Sequence, residues 1–249
     1  MGEVSSLIWC YRWHILGLLA LFVEVFGIWY LAAAVLATII NYPVRYLIFK
    51  RYVWETKKPN SIYAPDYEWK AYYKGGIIQK WWKRSIAKTI WEWIPHGSKL
   101  LDIGCGSSPI VLKYNNAVAV DANEAKMEYM RGKSNTVLFK NIDVSTLTTA
   151  TYDHVLCIEV IEHLNNPAMM IKTISRLLKD GGTAIIATPD YSKVLWRIAE
   201  AFTPYKDDHS NKFTMEKLDR LCEKYNLFPT NYKYIAGCDL VEMFVKVEK

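Results

Sequence analysis

No two cysteines stand at C-x-x-C spacing and no histidine pair accompanies them: Cys10, Cys105, Cys157, Cys222 and Cys238 are scattered along the 249-residue chain. That absence means that neither a zinc site nor a disulfide framework is indicated, so the thiols read as reduced and mostly buried, and no metal is expected. A third glycine is missing too. The turn GCGSSP carries Pro109 where a G-x-G-x-x-G fingerprint has its last glycine, which makes a pyrophosphate-binding site, and with it a nicotinamide oxidoreductase, a poor fit. Charge is nearly absent from Ile15 to Ile40, where Glu24 is the single ionisable residue.

What fills that stretch is ILGLLALFVEVFGIWYLAAAVLATII, longer than the ~20 apolar residues that cross a bilayer. Residues 1–54 therefore read as a transmembrane anchor, either one helix or a hairpin turning near Gly27, with Glu24 reaching an interface or serving as an intramembrane carboxylate. A cleaved signal peptide has a shorter apolar core, about 7–15 residues, and carries its positive charge in front. Here Arg45, Lys50, Arg51, Lys57 and Lys58 come behind. Such a basic stretch places the remainder of the chain on the cytoplasmic side of the membrane and suits anionic head groups. The net charge of +6 has no nucleic-acid motif beside it, so the bilayer rather than nucleic acid is the expected partner. The run FVEVFGIWYLAAAVLATIINYPVRYLIFKRYVW resembles the last two helices of GtrA-like membrane proteins, which are associated with polyprenyl-linked sugars.

Pro59, Asn60, Ser61 and Pro65 break any regular pattern in residues 55–69, which read as a linker; a soluble domain spans 70–249. Its first helix carries Ile78, Trp82, Ile86, Ile90 and Trp93 at helical spacing and stops at Pro95. That helix reads as packing over a sheet, with docking on a membrane surface through its tryptophans and lysines as the alternative.

The stretch KLLDIGCGSSPIVLKY then places an apolar strand before a glycine turn, with a helix expected after it. Gly104 and Gly106 remove side chains where a backbone bends sharply beside a ligand, and Asp102 supplies an acceptor there. The next strand, AVAVD, ends in Asp121, placed as an acid that accepts two ribose hydroxyls; alone it would read as a turn residue. FKNID marks a third strand edge, and YDHVLCIEVIEHLNNP a fourth strand with its adjoining turn. Asn166 and Pro167 open a helix, Gly181 and Gly182 stop it, TAIIAT is a fifth strand, and NYKYIAG with LVEMFVKVE closes the domain as two more.

With Asp-x-Gly-x-Gly, Asp121 and EVIEHL in place, the chain resembles class I S-adenosylmethionine-dependent methyltransferases over most of residues 70–249, and EVIEHL resembles the small-molecule type of ubiquinone biosynthesis. The resemblance implies an α/β, Rossmann-like, seven-stranded, mostly parallel sheet with an antiparallel edge strand, and S-adenosyl-L-methionine as cofactor. It implies that Asp102, Gly104, Cys105, Gly106, Asp121 and Ala122 hold the cofactor, with Ile142 and Asp143 at its adenine and Cys157, Ile158 and Glu159 lining it. Glu162, His163 and His209 are the candidates for removing a proton from an acceptor, against the plainer roles of bracing the loop or capping a helix. Tyr191, Asp207 and Asp208 are candidates to join them around a variable substrate lid. The expected activity is methyl transfer at a membrane to a lipid, a polyprenyl-linked sugar or a quinone-like head group; the alternative is a non-catalytic S-adenosylmethionine-binding membrane subunit.

Overall fold

The computed structural model describes residues 64–248 except 136, 141–142, 148–150 and 202–208, together with residues 32, 35 and 39. The chain divides into two compact units, Met1–Ser61 and Ile62–Lys249. In the first, Ala32, Val35 and Ile39 are helical and exposed; the rest of the expected anchor over 1–54 lies outside the described residues. Among the described residues no helix is long and apolar enough to cross a membrane.

In the second unit, helices α1 (Tyr67–Tyr73) and α2 (Ile77–Trp93) precede β1 (Leu100–Ile103). There follow β2 (Ala117–Val120), α3 (Glu124–Arg131), β3 (Leu138–Lys140), β4 (Tyr152–Ile158), α4 (Pro167–Leu177) and β5 (Leu178–Pro189). The domain closes with α5 (Val194–Ala201), α6 (Met215–Glu223), β6 (Leu227–Ile235) and β7 (Asp239–Lys246). The seven strands lie in the order β3-β2-β1-β4-β5-β7-β6, all parallel up to β5, with β7 antiparallel to both of its neighbours. A Rossmann-like mixed sheet is thus present, with one correction: the antiparallel strand lies one place in from the edge. Burial explains the swap, because Leu240, Val241 and Phe244 of β7 are buried, whereas most of β6 is exposed and suits an edge.

Alternation along the strands feeds a core on each face. Leu100, Leu156 and Ile185 pack under Ile86 and Ile90 of α2 and Met127 and Met130 of α3. Leu101, Val155 and Ile186 pack under Ile171 and Ile174 of α4 and Leu218 of α6 on the other side. Helix α4 starts as its sequence indicates, with the Asn166 side chain accepting from the Met169 amide at 3.0 Å and Pro167 in the first turn. It ends at Leu177, however, and Gly181 and Gly182 fall inside β5 rather than acting as the helix stop.

Two further expectations change. The glycine turn leads into a short 3-10 turn, Ile110–Lys113, in place of an α-helix. The domain also begins earlier than residue 70: α1 falls partly within the expected linker, and Glu68 and Trp69 both meet Ser107 of the glycine loop.

Candidate active site

The carboxyl ends of β1, β2 and β4 meet at one edge of the sheet, where parallel α/β folds bind ligands. The glycine loop is tied down there by the Gly104 and Cys105 amides, which donate to the Val120 carbonyl at 2.8 and 3.2 Å. Gly104 has φ +70° and Gly106 φ +51°, conformations that disfavour a β-carbon. Space excludes one as well: a Cβ on Gly104 would lie 2.4 Å from a Val160 methyl, and one on Gly106 2.6 Å from the Glu68 carboxyl carbon.

A cleft opens beside this loop, lined among others by Asp102, Gly104, Cys105, Ile158 and Glu159 from the sheet edge and by Glu68, Tyr72 and Lys83 from α1 and α2. Asp102 is buried in β1, and that burial, followed by the nearby charge of Asp121, pushes its carboxyl up to about 8. Asp121 follows β2 and accepts from the Gly106 amide at 2.9 Å and the Asn123 amide at 2.8 Å. Each oxygen of a carboxylate has a second lone pair, so these bonds orient Asp121 without exhausting its capacity for ribose hydroxyls. Ala122 beside it is exposed. Asp143 is exposed beyond β3, its carbonyl accepting from the Thr146 amide and hydroxyl, while Ile142 lies outside the described residues.

Strand β4 sorts its own residues by the period of two. Ile158 packs at the margin of the α2-side core and lines the cleft. Cys157 points the other way, into the core with Ile103, Ile161 and Ile171, and the structure does not bring it to the cleft. Glu159 comes next with φ +55°, an uncommon conformation for a residue bearing a β-carbon. Its carboxylate pairs with Lys83 of α2. Burial works to lower the Lys83 ammonium, but Glu159, then Asp239 and Glu68, more than offset this and hold it above its ordinary value.

Just beyond, the 3-10 turn Ile161–His163 places Glu162 and His163 side by side, with Glu162 only 1% exposed. Burial raises the Glu162 carboxyl to about 8, and the Thr188 hydroxyl donates to it at 3.2 Å. The ring of His209 lies 4.8 Å from that of His163 and is stacked on Trp196 at 5.8 Å. His209 does not cap α6; Thr214 does. The Tyr191 hydroxyl donates to Glu200 at 2.7 Å and lies 2.8 Å from His209 Nδ1. A hydroxyl has one proton, so Nδ1 donates to Tyr191 and His209 is held as the tautomer whose Nε2 carries the lone pair. Glu162, His163 and His209 each offer a ligand atom within 4.8 Å of the others, a carboxylate and two imidazoles that suit a divalent ion. Of the expected lid residues, Tyr191 joins this group; Asp207 and Asp208 lie outside the described residues.

Glu68, like Glu200, is a residue that sequence reasoning missed. Its carboxylate accepts from the Ser107 amide at 2.9 Å and the Ser107 hydroxyl at 2.7 Å, and pairs with Lys126 of α3 at 2.6 Å. Burial acts to raise this carboxyl, yet Lys126 and Ser107 together hold it below its ordinary value. All its partners lie far along the chain, and nothing local in YEWKAYY announces them.

A glycine cradle that admits no Cβ, an acid at the end of β2 and a cleft between β1 and β4 together fit S-adenosylmethionine, which needs its ribose held and no phosphate cradled. Residues 77–230 match the family model of a methyltransferase domain, which is more than half of the chain. The chain belongs to that family. It belongs with S-adenosylmethionine-dependent methyltransferases and is related to the ubiquinone biosynthesis O-methyltransferases. The ubiquinone biosynthesis O-methyltransferase of Dechloromonas aromatica is 27% identical, the match covering 46% of this chain and 60% of that protein. The chain spans about half the length of such curated relatives. Among solved structures, a chain of the complex between the Haloferax volcanii Trm112 methyltransferase activator and its methyltransferase candidate superposes with a TM-score of 0.61 at 15% identity, over 76% of this chain and 98% of that one. The magnesium protoporphyrin IX methyltransferase of Synechocystis, with S-adenosylhomocysteine bound, gives 0.54 at 16% identity, over 72% and 93%.

Proposed function

We propose that this methyltransferase is anchored in a membrane by residues 1–54 and methylates a hydroxyl of a membrane-borne acceptor: a lipid, a polyprenyl-linked sugar or a quinone-like head group. The observation that carries the oxygen acceptor is His209, oriented through Tyr191 and Glu200 and lying beside His163 and the buried Glu162. A proton acceptor is needed there only when the acceptor must lose a proton in step with transfer. The O-methyltransferase names of the curated relatives support the same choice. The membrane half of the reading is supported by the apolar run from Ile15 to Ile40 and the basic residues behind it.

S-adenosylmethionine supplies a methyl group already activated on a sulfonium, and becomes a neutral thioether on losing it. The chain's own residues bind and orient. Asp121 accepts from the ribose, Asp143 stands at the adenine end, and Asp102 offers a carboxyl group inside the glycine loop. The acceptor oxygen gains the methyl as its proton passes to Nε2 of His209, leaving an imidazolium stabilised through Tyr191 by Glu200.

A second reading is favoured by the spacing of Glu162, His163 and His209. A divalent ion held by these three would acidify the acceptor hydroxyl and take over the role of the His209 base. Chelation separates the two, since turnover lost to a chelator and restored by a divalent salt belongs to the ion. The decisive test of the function is labelled methyl transfer in native membranes, wild type against Asp121→Ala, with subsequent extraction. Label in the lipid fraction that depends on Asp121 supports the proposal. Cofactor binding without label in any fraction would favour the non-catalytic subunit instead.

A further inference from the structure

Along α2 and α5, six large apolar side chains face solvent: Ile77, Ile78 and Trp81 on one helix, Val194, Leu195 and Ile198 on the other, each between 51 and 85% exposed. Positions i, i+1 and i+4 share one side of a helix, so each triplet forms a compact stripe. The stripes belong to neighbouring helices, because Trp82 of α2 and Trp196 of α5 meet edge to face with ring centroids 6.4 Å apart. Packing of the sheet does not require them. The contribution of α2 to the core comes from its later turns, through Ile86, Ala87 and Ile90. Contiguous apolar surface of this kind marks an interaction site.

The segments that carry the patch are rich in cations, with Glu92, Asp190 and Glu200 only at their margins. From Trp69 to Trp91 there is no Asp or Glu, and from Tyr191 to Ala199 there is none either. Lys70, Lys83 and Lys88 pair with Asp66, Glu159 and Glu92. Lys74, Lys80 and Arg197 make no ion pair among the described residues; nor do Arg84 and Lys193, whose charged ends lie against Tyr72 and over the Tyr234 ring.

We propose that this face of the domain docks on an anionic lipid bilayer, with the two apolar stripes entering the head-group layer and the five cations resting on lipid phosphates. Apolar side chains ringed by Lys and Arg are what an interfacial helix presents to such a surface. A second copy of the chain suits the face less well, because a two-fold contact would set cations against cations. Lys83 and Ile86 line the cofactor cleft from the other side of α2, so docking through the stripe leaves the cleft uncovered. The inference deepens the membrane reading above and rests on it for its purpose, but it assigns the contact to the domain itself and not to residues 1–54.

The test uses the full chain with Cys10→Ser and one introduced cysteine bearing a nitroxide, at Ile78→Cys, Ile198→Cys or, as a control on exposed α6-side surface, Lys224→Cys. The described native cysteines are buried and leave the introduced one to react. The proteins are reconstituted in vesicles of phosphatidylcholine with phosphatidylglycerol, and in phosphatidylcholine alone. Flotation reports separately whether the chain is membrane-held. Docking predicts that collisions with oxygen exceed those with a water-soluble nickel chelate at 78 and 198, that the order reverses at 224, and that anionic lipid strengthens the contrast. Labels at 78 and 198 as open to nickel as 224, on a chain that floats, would overturn the docking face while leaving the anchor standing; on a chain that does not float, both fail. Labels shielded from both reagents would mean that protein covers the face, whether residues 1–61 or a second copy, and would equally overturn a lipid partner.

Discussion

Replacing Gly106 by alanine measures how firmly α1 is locked onto the cofactor loop. The new Cβ would stand 2.6 Å from the Glu68 carboxyl carbon and 2.8 Å from both of its oxygens, at a residue with φ +51°. Left-handed backbone costs a non-glycine residue about 1–2 kcal/mol. The carboxylate is the larger obstacle, because it must leave Ser107 and Lys126, and hydrogen bonds to a charged group contribute about 1.5–3 kcal/mol. Gly106→Ala is therefore expected to cost about 2.5–5 kcal/mol. Glu68→Ala removes the same bonds and is expected to cost about 1.5–3 kcal/mol. With the carboxylate gone, adding Gly106→Ala brings only the backbone strain, so the double variant should also cost about 2.5–5 kcal/mol rather than the additive ~4–8. Urea denaturation of the four detergent-solubilised proteins closes this cycle. Costs that add to within about 0.5 kcal/mol would refute the account, since they would show that the loop and α1 do not share the carboxylate.

Cofactor affinity should depend on Asp121: Asp121→Asn weakens its acceptance from the ribose, and calorimetry should show the S-adenosylmethionine Kd rising at least about tenfold, whereas an unchanged Kd would place the ribose elsewhere. Asp102 links stability to pH. Its folded carboxyl sits at about 8 against about 3.9 unfolded, so between those values the native state keeps a proton that the unfolded chain releases, and stability falls as pH rises through the window. Asp102→Asn lacks that slope, and its urea midpoint, close to wild type at the acid end, should draw ahead toward pH 8; parallel curves would contradict a buried neutral Asp102. His209→Ala should lower kcat by about a hundredfold or more with little change in cofactor affinity. Tyr191→Phe should act in the same direction more weakly, because it frees the imidazole tautomer, and an unaffected kcat in both variants would remove His209 from proton transfer.

Most of the elements are legible in the residue pattern alone. Apolar LLDI and AVAV with intervening turns mark strands of a parallel sheet, and Asn-Pro marks the start of α4, because these signals are local. The glycines at 104 and 106 and the acid at 121 are legible for the same reason: each is dictated by backbone shape or by a short spacing along the chain. His209, Tyr191 and Glu200 are readable as polar residues but not as a relay, since only the folded chain brings Glu200 and His209 to the Tyr191 hydroxyl.

The amino-acid sequence by itself determined the class of fold, the cofactor loop and the long apolar segment, because periodicity, glycine and hydrophobic length act over a few turns of chain. Tertiary structure alone decided that Glu68 closes onto Ser107 and Lys126, that Cys157 turns into the core while Ile158 meets the cleft, and that β7 rather than β6 takes the inner place in the sheet. Each of these is settled by which surfaces are left to bury once the sheet has formed, a competition among residues far apart in sequence that no local pattern records.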